Sequence, residues 1–287
     1  MLHIHNGYSI KEICIALKIN RSSYYKWKSR RQSNSELLNI QIKEYIKDYY
    51  EESNGVLGYR QMSIVINREK INELPHTVNI KRVRRIMRAL GLKSVIRKKR
   101  PGYIKSTPEI TAENILNRDF KATVPFEKWL TDVTEFKYYA GTEVKKLYLS
   151  AILDLYDRRI VSYKIGDSNN NELVFTTFDE AINLYPNAKP IFHSDRGFQY
   201  TNKVFHQKLV DAGMIQSMSR VGRCLDNAPM EGWWGILKSE MYYLKKFTSR
   251  EALVSAIENY IQFYNTRRYQ KRLNCMTPCE YYLAITA

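Results

Sequence analysis

The sequence predicts an α/β protein in which a mixed sheet with helices on both faces follows small all-α units. Three observations carry that expectation. From Phe126 onward, three successive runs read as strands, separated by turn signals at Ala140-Gly141 and Asp157-Arg158. Helix-like and strand-like segments then alternate as far as Met218. Ahead of Phe126 the helical pattern dominates, and that part of the chain is strongly basic.

The front of the chain divides into two helical units. Residues 7–27 predict a first helix from Ser9, a break near Ile19-Asn20, and a second helix capped by Asn20 or Ser22. This is a helix-turn-helix layout over residues 1–32, with Arg21, Tyr24, Lys26 and Lys28 on its second helix; a plain helical hairpin is the alternative. A second helical domain is expected over 33–100. A polar linker at its start leads to a helix at 36–53 with Leu38, Ile42 and Ile46 on one stripe, and another helix begins near Gly58. A third, from Asn79, buries Ile80, Val83, Ile86, Met87 and Leu90, leaves Lys81, Arg82, Arg84, Arg85 and Arg88 outside, and stops at Gly91. Arg97, Lys98, Lys99 and Arg100 extend the charge to a linker at 101–124.

Charge points to a polyanionic partner. Residues 1–120 hold 24 Lys+Arg against 11 Asp+Glu, or +13, while the remainder holds 22 against 18, or +4. Clustered positive charge favours nucleic acid, because neutralising phosphates releases counterions. A merely soluble basic surface would carry its charge more evenly. Four scattered cysteines without a CxxC argue against a disulfide framework or a zinc ribbon, and His3, His5 and Cys14 lack a second cysteine at ligand spacing. With no run approaching 18 apolar residues and no signal-peptide layout, a soluble, cytoplasmic protein is expected.

The core, 125–245, opens with a strand around Trp129–Phe136, where Leu130, Asp132, Thr134 and Phe136 share one face. Strands at 147–156 and 159–165 continue a meander. A helix at about 171–184 follows, then a short buried strand at Pro190–Asp195, a helix at about 202–212 and a strand at Ile215–Met218. The helix after Asp226, with Pro229 in its first turn and Asp226 or Asn227 as cap, presents Glu231 and Lys238 on nearly one face, two turns apart. Taken alone that pair is an ordinary solvated face. An acid at a core-facing strand position, however, is costly unless it is paired or binds a cation, so Asp132, Asp195 and Glu231 from three separate elements become candidate metal ligands. Asp154 and His193 read as structural. Residues 246–287 form a C-terminal helix from Arg250 and a basic tail in which Arg267, Arg268, Lys271 and Arg272 accompany Tyr264 and Tyr269, suited to DNA-backbone contacts or to packing on the core.

With 35 residues between Asp195 and Glu231, and with the runs Trp129-Leu-Thr-Asp132-Val-Thr, His193-Ser-Asp195-Arg-Gly and Asp226-Asn-Ala, the chain resembles the DDE transposases and retroviral-type integrases. Within that class it is similar to the second-frame proteins of bacterial insertion sequences. The resemblance implies a ribonuclease-H-like core and Asp132, Asp195 and Glu231 as catalytic ligands of two Mg²⁺ or Mn²⁺ ions. It also implies Lys238 as a DNA-contacting lysine and metal-dependent DNA cleavage and strand transfer at the ends of an insertion sequence. Further implied are double-stranded DNA as partner, a homo-oligomer on DNA, an upstream-frame DNA-binding protein or fusion, and a place at the bacterial nucleoid. A hydrolytic nuclease of the same fold, or a DNA-binding regulator with an inactive core, are the alternatives. Gln270 stands where many such proteins carry histidine.

Overall fold

The computed structural model describes residues 9–96, 113–220 and 224–286. Arg97, Lys98, Lys99, Arg100, the opening of the expected linker, His3 and His5 lie outside the described residues.

The front folds as its pattern predicts. Helix α1 (Ile10–Ala16) starts at a capping box between Ser9 and Glu12, and α2 (Arg21–Lys28) at Asn20, whose side chain accepts from the Ser22 N–H at 2.8 Å. Arg21 is exposed. Helices α3 (Asn34–Glu52), α4 (Tyr59–Glu69) and α5 (Ile80–Ala89) close around Leu38, Ile42, Ile46, Met62, Ile66, Val83, Ile86 and Met87. Two expectations for α5 need correction. Ile80 is exposed, because as the first residue of the helix it precedes the stretch that faces α3 and α4. Arg82 is half-buried rather than outside, and its Nη1 is enclosed. Lys81, Arg84, Arg85 and Arg88 are exposed as expected. Gly91, at φ +71°, supplies the left-handed turn that lets Leu92 N–H reach the Met87 carbonyl at 2.9 Å and end α5.

In the core, β1 (Lys128–Ala140), β2 (Glu143–Asp154) and β3 (Ile160–Gly166) form the antiparallel meander. Helix α6 (Asn171–Leu184), β4 (Ile191–Ser194), α7 (Lys203–Asp211) and β5 (Ile215–Met218) follow, and the sheet order is β3-β2-β1-β4-β5 with β1, β4 and β5 parallel. Helices α8 (Ala228–Glu240) and α9 (Arg250–Thr266) cover one face of the sheet, where Leu130, Phe136, Leu147 and Leu149 meet Met230, Trp233, Leu237 and Ile257. On the other face Trp129, Ile152 and Phe192 meet Phe178, Phe205 and Leu209. Each fully buried side chain of this size contributes about 1.5–3 kcal/mol. The mixed sheet with helices on both faces agrees with the sequence-based expectation.

The described end of the expected linker is not a loose connector. Leu116 is buried with the α8–α9 layer, its N–H donates to Ser217 Oγ at 3.0 Å, and Met218 N–H donates to the Glu113 carbonyl at 3.3 Å. Ile115, Leu116 and Phe120 among polar residues set neither a helical nor a strand period, so the sequence hides this strap. Helix α10 (Pro278–Thr286), capped by reciprocal bonds between Thr277 and Glu280, is a further addition to the expected elements. Among the described residues no helix is long and apolar enough to cross a membrane.

Candidate active site

Two of the three predicted acids meet where β1 and β4 part. The parallel ladder between these strands covers only Lys128–Leu130 and Ile191–His193; Asp132 lies two residues past it on β1, and Asp195 immediately follows β4. The Asp132 carboxylate is held at both oxygens, Oδ1 by its neighbour Val133 N–H at 2.8 Å and Oδ2 by the indole N–H of Trp234 at 3.0 Å. Asp195 Oδ1 accepts from Gly197 N–H at 2.9 Å. A Cβ on Gly197 would stand 3.1 Å from that oxygen and 2.9 Å from Gln199 Oε1, so a larger residue would have to displace the carboxylate or the Gln199 side chain.

Electrostatically the pair is under tension. Burial and the neighbouring Asp195 push the Asp132 carboxyl up to about 7 despite its two hydrogen bonds, and Glu231 adds a smaller push in the same direction. Burial likewise raises Asp195 against the pull of Gly197 N–H. Among the described residues no lysine or arginine forms an ion pair with either.

Glu231 comes from the helix rather than the sheet. It lies exposed in the first turn of α8, within electrostatic reach of Asp132, and among the described residues no three Asp, Glu, His or Cys side chains are gathered closely enough to hold one metal ion. Lys238, expected to look outward beside Glu231, is half-buried with its ammonium 5.1 Å from the Phe136 ring centroid. Burial lowers its pKa, against the attraction of Asp132 and Glu135. The helix carries Lys238 inward because its last turns pack on β1.

The other acids have structural employment. Asp154 is fully buried and accepts from Phe126 N–H, Tyr156 N–H and Trp129 Nε1–H. His193 is buried between Ser217 Oγ at 2.9 Å and Ser219 Oγ at 3.1 Å, and burial lowers it to about 4, so it stays neutral. Asp226 does not cap α8. It is buried against Arg220, Arg118 and Asn114, while Asn227, at the cap position, donates instead from Nδ2 to the Thr131 carbonyl at 3.2 Å. Trp234 thus touches Asp132, while Tyr200 and Asn227 reach the neighbouring Thr131; residue pattern singles out neither Tyr200 nor Trp234, and Asn227 is expected as a cap and a motif residue.

Of the basic tail residues, Arg267 is exposed. Arg268 departs from its expected place on DNA: it is half-buried in a two-pronged ion pair with Glu240, at 2.7 and 2.8 Å. A guanidinium matched to one carboxylate in this way has two fewer nitrogens to offer a phosphate.

The sequence and its relatives agree with this architecture. The family described as integrase core domain matches residues 122–224, a second integrase core domain description matches 231–283, and an HTH-like domain matches 38–100. The chain is 38% identical over 276 residues to a transposase assigned to insertion sequence element IS150 of Escherichia coli (strain K12), covering 96% of this chain and 93% of that one. It is 42% identical over 204 residues to a transposase-like protein of Haemophilus influenzae, covering 71% and 93%, and 31% identical over 255 residues to the transposase for IS904 of Lactococcus lactis, covering 88% and 97%. The HTLV-2 integrase catalytic core domain in complex with magnesium superposes with a TM-score of 0.45 at 19% identity, covering 56% of this chain and 99% of that one. With a relative this similar along nearly its whole length, the chain belongs to the insertion-sequence transposases that carry an integrase core domain.

Proposed function

We propose that this transposase cleaves DNA at the ends of an insertion sequence and joins them to target DNA, with Asp132, Asp195 and Glu231 as its catalytic carboxylates. The observation that carries this reading is the Asp132–Asp195 pair: two adjacent, desolvated carboxylates with no cationic side chain paired to them among the described residues. Such a set fits hard divalent cations, because oxygen donors bearing spare negative charge are what Mg²⁺ and Mn²⁺ select. When bound, a pair of such ions supplies charge stabilisation to the attacking and leaving oxygens of an in-line phosphoryl transfer. Asp132 would hold them from within β1 and Asp195 from the end of β4, and Glu231 would join from α8. Lys238 would then place a phosphate beside the acids as a point charge.

The basic units supply the DNA contacts in this reading. Arg21 on α2, Lys81, Arg84, Arg85 and Arg88 on α5, and Arg267 after α9 are exposed and suit a double-stranded backbone. Functional boundaries at 1–32, 33–100, 101–124, 125–245 and 246–287 follow this division, with the protein working as a homo-oligomer on DNA, with or without an upstream-frame partner.

Incubating the full chain with labelled element ends and Mg²⁺ tests the proposal. Strand cleavage at the ends, followed by joining to a second duplex, is expected and should vanish in Asp132→Asn, Asp195→Asn and Glu231→Gln. Cleavage without joining would indicate a nuclease, and full activity in any of the three variants would remove that acid from the site.

A further inference from the structure

A buried indole touches one of the proposed catalytic acids. Trp234 Nε1–H donates to Asp132 Oδ2 at 3.0 Å, its side chain is 6% exposed, and its ring packs on Trp233 with centroids 4.5 Å apart. Trp234 stands three residues after Glu231 on α8, and Asn227, just ahead of the same helix, reaches the carbonyl of Thr131, the residue before Asp132. Two polar ties thus fasten the start of α8 to β1 on either side of the catalytic position. Packing alone did not require them, since Met230, Trp233 and Leu237 already seat the helix on the sheet.

The choice of donor matters chemically. A lysine or arginine at this distance would neutralise Asp132 and compete with a divalent cation. An indole N–H is a neutral donor with no acceptor capacity. It occupies one lone pair of Oδ2, fixes the plane of the carboxylate together with Val133 N–H, and leaves the remaining lone pairs and the negative charge available.

We propose that Trp234 is a positioning residue for the Asp132 carboxylate, orienting it for a divalent cation and locking α8, with Glu231, to the strand that carries it. This rests on the reading of Asp132 as a cation ligand. Removing a partner that orients a ligand commonly costs 10–100-fold in metal affinity or activity, and an effect of at least about tenfold is expected here.

The test compares the full chain with Trp234→Phe, which keeps an aromatic ring and deletes the N–H. The Mg²⁺ and Mn²⁺ concentrations that half-saturate the rise in thermal midpoint are measured without DNA, and kcat and KM for end cleavage are measured with it. The half-saturating concentration should rise about tenfold or more, and kcat should fall while KM for DNA stays near that of the parent. A second measurement does not depend on how well the variant folds. In parent protein with ¹⁵N-labelled tryptophan, the Trp234 indole resonance should move on addition of Mg²⁺ and should lose that response in Asp132→Asn. A parent that responds to Mg²⁺ while Trp234→Phe matches it, or an indole resonance indifferent to the cation, overturns the positioning role alone. A parent with neither cation response nor cleavage overturns the reading of Asp132 and the positioning role together.

Discussion

Gly197 and Asp195 are locked by a distance rather than by a bulky contact: the Gly197 N–H lies 2.9 Å from Asp195 Oδ1, and a methyl group on Gly197 would lie 3.1 Å from the same atom. Gly197→Ala should therefore press on the carboxylate and on the Tyr200 ring, 3.3 Å away. The expected loss is about 1–2 kcal/mol of stability and a larger proportional loss of cleavage, tenfold or more, because small displacements at a reacting centre are costly. Thermal melts alongside end-cleavage rates check this; an unchanged rate would show that the turn does not position Asp195.

The crowding of Asp132 and Asp195 makes a prediction about pH. A carboxyl whose folded pKa is raised binds more protons folded than unfolded, so stability is full below the unfolded value, about 4, and falls as pH rises. For Asp132 the window runs from there to about 7. Asp132→Asn removes this loss and should be more stable than the parent by about 1–3 kcal/mol near pH 8, with little difference near pH 4. Denaturant titrations at both pH values decide it, and a variant less stable than the parent at pH 8 would count against the assigned repulsion.

Asp226 predicts the opposite slope. Burial alone would raise its carboxyl, but the side-chain and backbone N–H groups of Arg220 and the Arg118 guanidinium outweigh it and hold the group well below the usual carboxylate range. Stability from this cluster is present above the unfolded pKa of about 4 and lost as pH falls below it. Asp226→Asn should cost about 1–3 kcal/mol at pH 7, since both arginines remain partly hydrated, and should flatten the acid limb of the stability profile between about pH 4 and 2. An acid limb identical to that of the parent would place the loss elsewhere.

Neighbouring arginines in the tail should separate cleanly. Arg268→Ala leaves the half-buried Glu240 with, among the described residues, only the Tyr260 hydroxyl and should cost about 1.5–3 kcal/mol, whereas Arg267→Ala should change stability by less than about 0.5 kcal/mol. Combined charge removal at Arg84, Arg85 and Arg88 should weaken DNA binding and reduce the salt slope by roughly 0.9 for each phosphate that is no longer neutralised. Binding isotherms across a salt series would refute the role of α5 on DNA if the slope stayed constant.

Much of this molecule is legible in its residues because period and punctuation agree. The β1 alternation, the cap at Asn20 and the Gly91 stop each have one local physical cause, and each appears in the structure as read. The parts that escaped depend on partners far along the chain. Nothing near Leu116 reveals Ser217, nothing near Arg268 reveals Glu240, and the Asp226 side chain gives up its capping role to Arg118, more than a hundred residues upstream. Asp132 and Asp195 could be named from burial logic and motif, yet what brings them together is the β1–β4 pairing, which residue spacing does not reveal.

The strand that carries Asp132 is bonded along its whole length to β2 and for only three residues to β4. Its two flanks therefore face different histories of change. On the β2 flank, an altered side chain is averaged over twelve paired positions and the strand barely moves. On the β4 flank, each of three pairs holds a third of the register, so drift there shifts one acid relative to the other. Lineages of this protein should be free to vary the outer meander while the short seam between Lys128–Leu130 and Ile191–His193 stays closely guarded.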